Sequence, residues 1–167
     1  MLTLRPYSKC DAETIAMWIR DEKTLYQWSA DLIGVYPMPP EVLQKHYEKQ
    51  ENNPDFMTFT ACDESHEPVG HLFIKYQDEE HKKVRFGFVI VDSSLRGKGY
   101  GKEMLMLAKK YAFEFLRAEE ITLGVFSNNP KAFHCYQSVG FEECGEHVMC
   151  KINGEDWEHI EMRCLPG

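Results

Sequence analysis

Residues 84–102 read Val84-Arg85-Phe86-Gly87-Phe88-Val89-Ile90-Val91-Asp92-Ser93-Ser94-Leu95-Arg96-Gly97-Lys98-Gly99-Tyr100-Gly101-Lys102, and this stretch decides the architecture. Its first eight positions are mostly β-branched or aromatic, as expected of a largely buried strand. After it, Met104, Leu107, Ala108, Tyr111, Ala112 and Phe115 recur at helical spacing. Gly97, Gly99 and Gly101 leave the connecting bend without Cβ atoms, so its N–H groups can approach a ligand closely. Those amides stand at a helix N-terminus, where unpaired donors and the helix dipole both favour an anion. The stretch therefore predicts a strand, a phosphate-holding bend and a helix.

Spacing excludes two common phosphate binders. Counted from Gly97, a P-loop needs its second glycine at Lys102. A dinucleotide fingerprint needs its third glycine at the same place. What remains is Arg96-x-x-Gly99-x-Gly101. About thirty residues on, a second unit follows in order. Glu120 to Phe126 reads as another buried strand, and Asn128-Asn129-Pro130-Lys131-Ala132-Phe133-His134-Cys135-Tyr136 leads on to Gly140-Phe141. Asn129 suits a helix cap, Pro130 the first helical position and Gly140 a left-handed stop. A strand, a helix and a strand form a crossover, so 84–92 and 120–126 should run parallel.

Together these motifs resemble the GNAT (Gcn5-related) N-acetyltransferases. The second matches that family's Asn-x-x-Ala-x-x-x-Tyr-x-x-x-Gly-Phe signature at Asn129, Ala132, Tyr136, Gly140 and Phe141. The resemblance implies an α/β (α+β) acyl-CoA N-acyltransferase fold. It has a central mixed, mostly antiparallel twisted sheet of about seven strands with four helices, and a splayed parallel pair at its centre. It also implies that acetyl-CoA is the co-substrate, acetyl transfer to a primary amine the reaction, and a single domain over 1–167 the unit.

Composition agrees. The chain has 167 residues, 43% of them hydrophobic, and no run nears the length of a membrane span. Its start lacks the layout of a signal peptide. The six cysteines form no Cys-x-x-Cys pair, which suits free thiols in a reducing cytoplasm. The seven histidines show no ligand spacing, so no metal is expected. His134 and Cys135 are adjacent on a helix and face different ways, one exposed and one packed. A net charge of −8 argues against nucleic acid, whereas Arg96, Lys98, Lys102, Lys109 and Lys110 cluster about the proposed anion site. The expected partners are acetyl-CoA and an amine acceptor, with no membrane, and with a monomer or homodimer as the assembly.

The remaining elements follow from patterning. Residues 1–7 read as a strand, Asp11 to Asp21 as an amphipathic helix, Glu22 to Pro40 as partly irregular, and Glu41 to Gln50 as a helix. Phe56 to Cys62 and Val69 to Tyr76 read as strands, and a short charged loop pairs the latter antiparallel with 84–92. Phe141 to Cys150 and Glu158 to Cys164 form a final hairpin about a type I′ Asn153-Gly154 turn.

The chemistry requires a held thioester, a deprotonated amine, donors for the oxyanion and a proton for the leaving thiolate. By resemblance, the backbone of Val89, Ile90 and Val91 binds the pantetheine arm. The amides of Arg96, Gly97, Lys98, Gly99, Tyr100, Gly101 and Lys102 bind the pyrophosphate. Asn129 contacts the arm or caps its helix, and Tyr136 is the general acid, a phenol protonated at neutral pH. In one branch of the family, the ribosomal-protein alanine acetyltransferases, a glutamate five residues before the signature asparagine is the base; here that position is Gly124. Asp31, His71, Glu161 and a water chain remain as alternatives. The resemblance also implies that the segment between the first two helices, here with Trp28, Asp31 and Tyr36, and the final hairpin, here with Trp157, Glu158 and Glu161, form the acceptor site; aromatics beside carboxylates suit a cation. Two alternatives stand beside acetyl transfer: a CoA-binding or regulatory module without turnover, and transfer of another acyl group.

Overall fold

A computed structural model describes residues 1–95 and 97–167. Among these, eight strands and five α-helices follow the order β1 (Thr3–Pro6), α1 (Asp11–Trp18), α2 (Glu22–Ser29), α3 (Pro40–Glu48), β2 (Phe56–Cys62), β3 (Pro68–Tyr76), β4 (Lys83–Val91), α4 (Tyr100–Lys110), β5 (Glu120–Phe126), α5 (Pro130–Ser138), β6 (Glu142–Glu143), β7 (Val148–Ile152) and β8 (Glu155–Cys164). The sheet order is β1-β2-β3-β4-β5-β8-β6, with β7 also on β8. Among the described residues, β4 and β5 are the one parallel pair.

The counts exceed the expected seven and four for two local reasons. Gly145, at φ 73°, breaks the stretch after Phe141 into β6 and β7, and the ten-residue β8 accepts both. Within the stretch read as partly irregular, α2 forms because the Asp21 carboxylate accepts from the Thr24 N–H at 2.7 Å and caps it. Leu25 and Trp28, one turn apart, then anchor it in the core. The first helix ends at Trp18, short of Asp21. Asn153 and Gly154 take φ 49° and 82°, the paired positive angles of the predicted I′ turn.

Two apolar layers sandwich the sheet. One joins Leu72, Ile74, Val84 and Phe86 to Met104, Leu105 and Ala108 of α4 and to Leu123 of β5. The other joins Ile15, Trp18, Leu25 and Trp28 to Leu43 and Tyr47 of α3 and to Phe73, Phe88 and Phe126 of the sheet. Each fully buried side chain of this size contributes about 1.5–3 kcal/mol.

β4 changes sides partway along. Val84 and Phe86 belong to the α4 layer, whereas Phe88 belongs to the α1–α3 layer. Strict alternation would place all three together. Pairing with β3 explains the switch: His71 opposes Ile90 but Phe73 opposes Gly87, so β4 carries one extra residue, and Phe88 sits at φ 49°. Gly87 makes this geometry possible, because a Cβ there would stand 2.0 Å from the Phe73 ring. Pairing of β4 with β5 runs only from Lys83↔Glu120 to Arg85↔Thr122, although both strands continue. Beyond Arg85 they part, and the sheet opens.

Candidate functional site

The opening between β4 and β5 is a cleft of about 760 Å³. Phe86 to Asp92 form one wall, Leu123 to Val125 the other, and Gly97, Gly99, Tyr100, Gly101 and Lys102 border it. From Phe86 onward, the β4 edge that faces β5 has no strand partner, so its N–H and C=O groups are left for a ligand. Val89, Ile90 and Val91 all lie on this wall and are half-buried.

The bend takes the shape its glycines permit. Gly97 and Gly99 have φ 81° and 74°, and a Cβ on either would meet nothing within 4 Å. Glycine is needed there for backbone conformation, while the open space keeps the amides reachable. Gly99 is the N-cap of α4 with no side-chain cap, so the first-turn donors of an eleven-residue helix are not covered by a capping side chain. Lys98 and Lys102 are exposed, and Lys102 borders the cleft. Arg96 lies outside the described residues.

α5 supplies the far side. Asn129 caps it by accepting from the Ala132 N–H at 3.4 Å, and also lines the cleft. Tyr136, the one buried residue of α5, lines the cleft with 7% of its surface exposed. Burial, then the neighbouring Cys135, pushes its phenol well above the usual range, so it holds its proton throughout neutral pH. Cys135 is half-buried with its thiol pushed up by burial, and His134 is exposed, as the helical spacing predicts.

The acceptor-side candidates separate. Trp28 lines the cleft against Phe88, ring centroids 4.7 Å apart, and its indole N–H is buried without a partner among the described residues. Asp31 is exposed and away from the cleft lining, and Tyr36 donates its hydroxyl to the Arg20 carbonyl at 2.6 Å. Trp157 joins Glu22, Tyr26 and Glu155, with Lys23 and three uncharged neighbours, around a smaller pocket of about 250 Å³. Glu158 pairs with His147 at 3.2 Å, and Glu161 with Arg85 at 2.6 Å. His71 is fully buried and bonded to the Tyr47 hydroxyl at 2.6 Å, with burial lowering its pKa to about 3.

Sequence reasoning missed Arg20, Asp21, Thr24 and Gln27, all on the cleft lining. The signal was the Asp21-x-x-Thr24 cap followed by Leu25 and Trp28 at one-turn spacing. Asp92 also borders the cleft, its carboxylate accepting from the Ser94 N–H and hydroxyl at 2.9 and 2.8 Å.

Comparison with known proteins matches this geometry. The profile of the acetyltransferase (GNAT) family matches residues 15–141. The chain is 25% identical to the spermidine N(1)-acetyltransferase of Vibrio cholerae over 147 residues, 88% of this chain and 82% of that one. It is 25% identical to the Escherichia coli enzyme of the same name over 161 residues, covering 95% and 83%. A crystal structure of the Vibrio cholerae spermidine N-acetyltransferase with CoA and spermine superposes with a TM-score of 0.81 at 25% identity, covering 98% of this chain and 95% of that one. The chain belongs to the GNAT acetyltransferase family. It is an N-acetyltransferase that carries acetyl from acetyl-CoA to an amine. Among the described residues, no helix is long and apolar enough to cross a membrane.

Proposed function

We propose that residues 1–167 act as one transferase domain in a reducing cytoplasm, acetylating a small cationic primary amine of the polyamine type. The single observation that carries the reading is the parted β4–β5 pair with Tyr136 on its lining. The cytoplasmic setting is supported by the free cysteines, all six among the described residues.

In this reading, the amides from Gly97 to Lys102, with Arg96, hold the pyrophosphate of acetyl-CoA. The freed edge of Val89, Ile90 and Val91 pairs with the pantetheine arm as an added strand would, and Asn129 contacts the arm while capping α5. An amide of that edge polarises the thioester carbonyl, an effect of about 2.7–4 kcal/mol in comparable sites. The amine nitrogen attacks the carbonyl carbon, the C–S bond breaks, and Tyr136 gives its proton to the departing thiolate.

The acceptor approaches from the α2 side. Trp28 offers a ring face beside the cleft, and the pocket of Glu22, Tyr26, Glu155 and Trp157 offers two carboxylates and two rings to a second cationic centre. That arrangement fits a chain carrying several ammonium groups. The relatives named for spermidine support the same acceptor class.

Calorimetry with acetyl-CoA, followed by release of CoA thiol against spermidine, spermine, short monoamines and a peptide with a free α-amine, tests the proposal. The expected result is binding, with thiol release fastest for the polyamines. Binding with no release for any amine identifies a CoA-binding module instead, and faster release with the peptide moves the acceptor to a protein α-amine.

A further inference from the structure

Gly124 lines the cleft two residues past Thr122, where the pairing of β4 with β5 ends. The space above it is filled from another strand. A Cβ on Gly124 would stand 2.1 Å from Nε2 of His159 and 2.9 Å from the nearer guanidinium nitrogen of Arg85, so only glycine admits the imidazole here. β8 delivers the ring: His159 is paired with Phe126 and Glu161 with Gly124, on the face that carries α1–α3. The Phe126 ring meets the imidazole edge to face at 5.7 Å.

The charged groups acting on this ring are Glu161 and Arg85, and they satisfy each other. Arg85 donates to Glu161 at 2.6 Å and to the Thr122 hydroxyl at 3.3 Å. The half-buried imidazole has no hydrogen-bond partner among the described residues. Burial holds it below the usual imidazole range; Glu161 opposes that shift and Arg85 adds to it. The ring is therefore neutral at pH 7, with a lone pair available. The carboxylates on the cleft are differently placed, since Asp21 and Asp92 each accept from nearby backbone N–H groups as caps.

We propose that His159, which stands against Gly124 behind the cleft lining and not on it, is the general base of the reaction, taking the proton of the amine through one water. This rests on the acetyltransferase reading above. A primary alkylamine has a pKa of about 10, so roughly one molecule in a thousand is free amine at pH 7. The amine therefore arrives as the ammonium ion, and the imidazole takes one of its protons before the freed nitrogen attacks the carbonyl carbon. The C–S bond then breaks, the electron pair goes to sulfur, and sulfur takes the Tyr136 proton. The ammonium sheds two protons in all: the first leaves through His159 to solvent and the second restores the Tyr136 phenol, so the products are the amide, the CoA thiol and one released proton.

The test is the pH dependence of kcat/KM for acetyl-CoA and spermidine in the wild-type protein and His159→Gln. With a base in place, the wild-type profile is flat from the imidazole's own titration up to the amine's. Without it, the profile rises about tenfold per pH unit as free amine appears. His159→Gln is expected to lose about 100-fold at pH 7 and only a few-fold at pH 9, with acetyl-CoA affinity by calorimetry within threefold. A variant within threefold of wild type at pH 7 overturns the proposal, and so does a wild-type profile that climbs steadily through pH 8.

Histidine ring resonances of the wild-type protein give an independent reading that needs no folded variant. The His159 midpoint must coincide with the acid limb of kcat/KM, and a mismatch above one unit overturns the assignment. A wild-type protein that binds acetyl-CoA but turns over no amine defeats the function itself, and this proposal with it. Full activity in both proteins defeats the role of His159 alone.

Discussion

His71 on β3 and His159 on β8 stand on the same face of one sheet, the face that packs against α1–α3, and burial lowers the pKa of both, yet they differ in depth and in hydrogen bonding. His71 is fully buried beneath Tyr7 and Tyr47. Nearby, Asp11 accepts from Arg5 on both oxygens at 2.8 Å, from the Ser8 N–H and from the Thr60 hydroxyl. Burial pushes the Asp11 carboxyl up, but these donors outweigh it and hold it below the usual range. That end of the face closes β1–β3 into a rigid support. At the other end, where β4 and β5 part, ring nitrogens and strand edges keep their capacity for a ligand. The lesson is that pairing, more than residue type, separates support from chemistry here.

The sharpest break of this contrast comes from the open end. Tyr136→Phe is expected to lower kcat by about 100-fold or more, with acetyl-CoA affinity unchanged within threefold by calorimetry. A small loss of turnover would mean that the open end does not carry the acid.

On the closed end, Asp11→Ala leaves Arg5, the Ser8 amide and Thr60 without their shared acceptor. We expect about 3 kcal/mol of lost stability in urea denaturation, while kcat/KM at low temperature stays within twofold. Strong loss of activity in a folded variant would erase the division between the two ends.

The pH dependence of stability sharpens it further. The folded pKa of His71, about 3, lies below its unfolded value, so the unfolded chain binds the extra proton first. Stability from this residue is intact above about pH 6.5 and falls as the pH drops from there toward 3. At pH 5 it amounts to about 2 kcal/mol, measurable as a loss that His71→Gln removes.

The smallest effect is expected at Gly99→Ala, where a Cβ must tolerate φ 74°. Acetyl-CoA should bind about tenfold more weakly, from roughly 1–1.5 kcal/mol of strain or local rearrangement, with little change in turnover at saturation. Unchanged affinity would show that the bend is not the phosphate cradle.

Much of this was legible in the order of residues. The glycine bend, the Asn129 cap, the Asn153-Gly154 turn and the strand–helix–strand crossover are contiguous, and each depends on neighbours within a few positions. The α2 helix was merged with the irregular stretch that follows it, although the Asp21 cap and Leu25 and Trp28 one turn apart mark it. Asp31 and Tyr36 looked equal to Trp28 along the chain, but only Trp28 reaches the cleft, since α2 ends at Ser29 and the chain turns away. His159 could not be picked out at all, because its importance rests on a missing side chain thirty-five positions earlier, at Gly124.

Read along the chain, then, the residues establish most of the strands and helices, which bend leaves its amides uncovered and which tyrosine follows on the crossover helix, because backbone angles and caps are short-range matters. The parting of β4 from β5 is of another kind. It depends on the Phe73 ring lying on Gly87 and on the extra residue near Phe88, contacts made across strands. The base over Gly124 likewise exists only once β8 has folded back beside β5. Long-range packing chooses among side chains that are equivalent in one dimension, and here that choice places the chemistry.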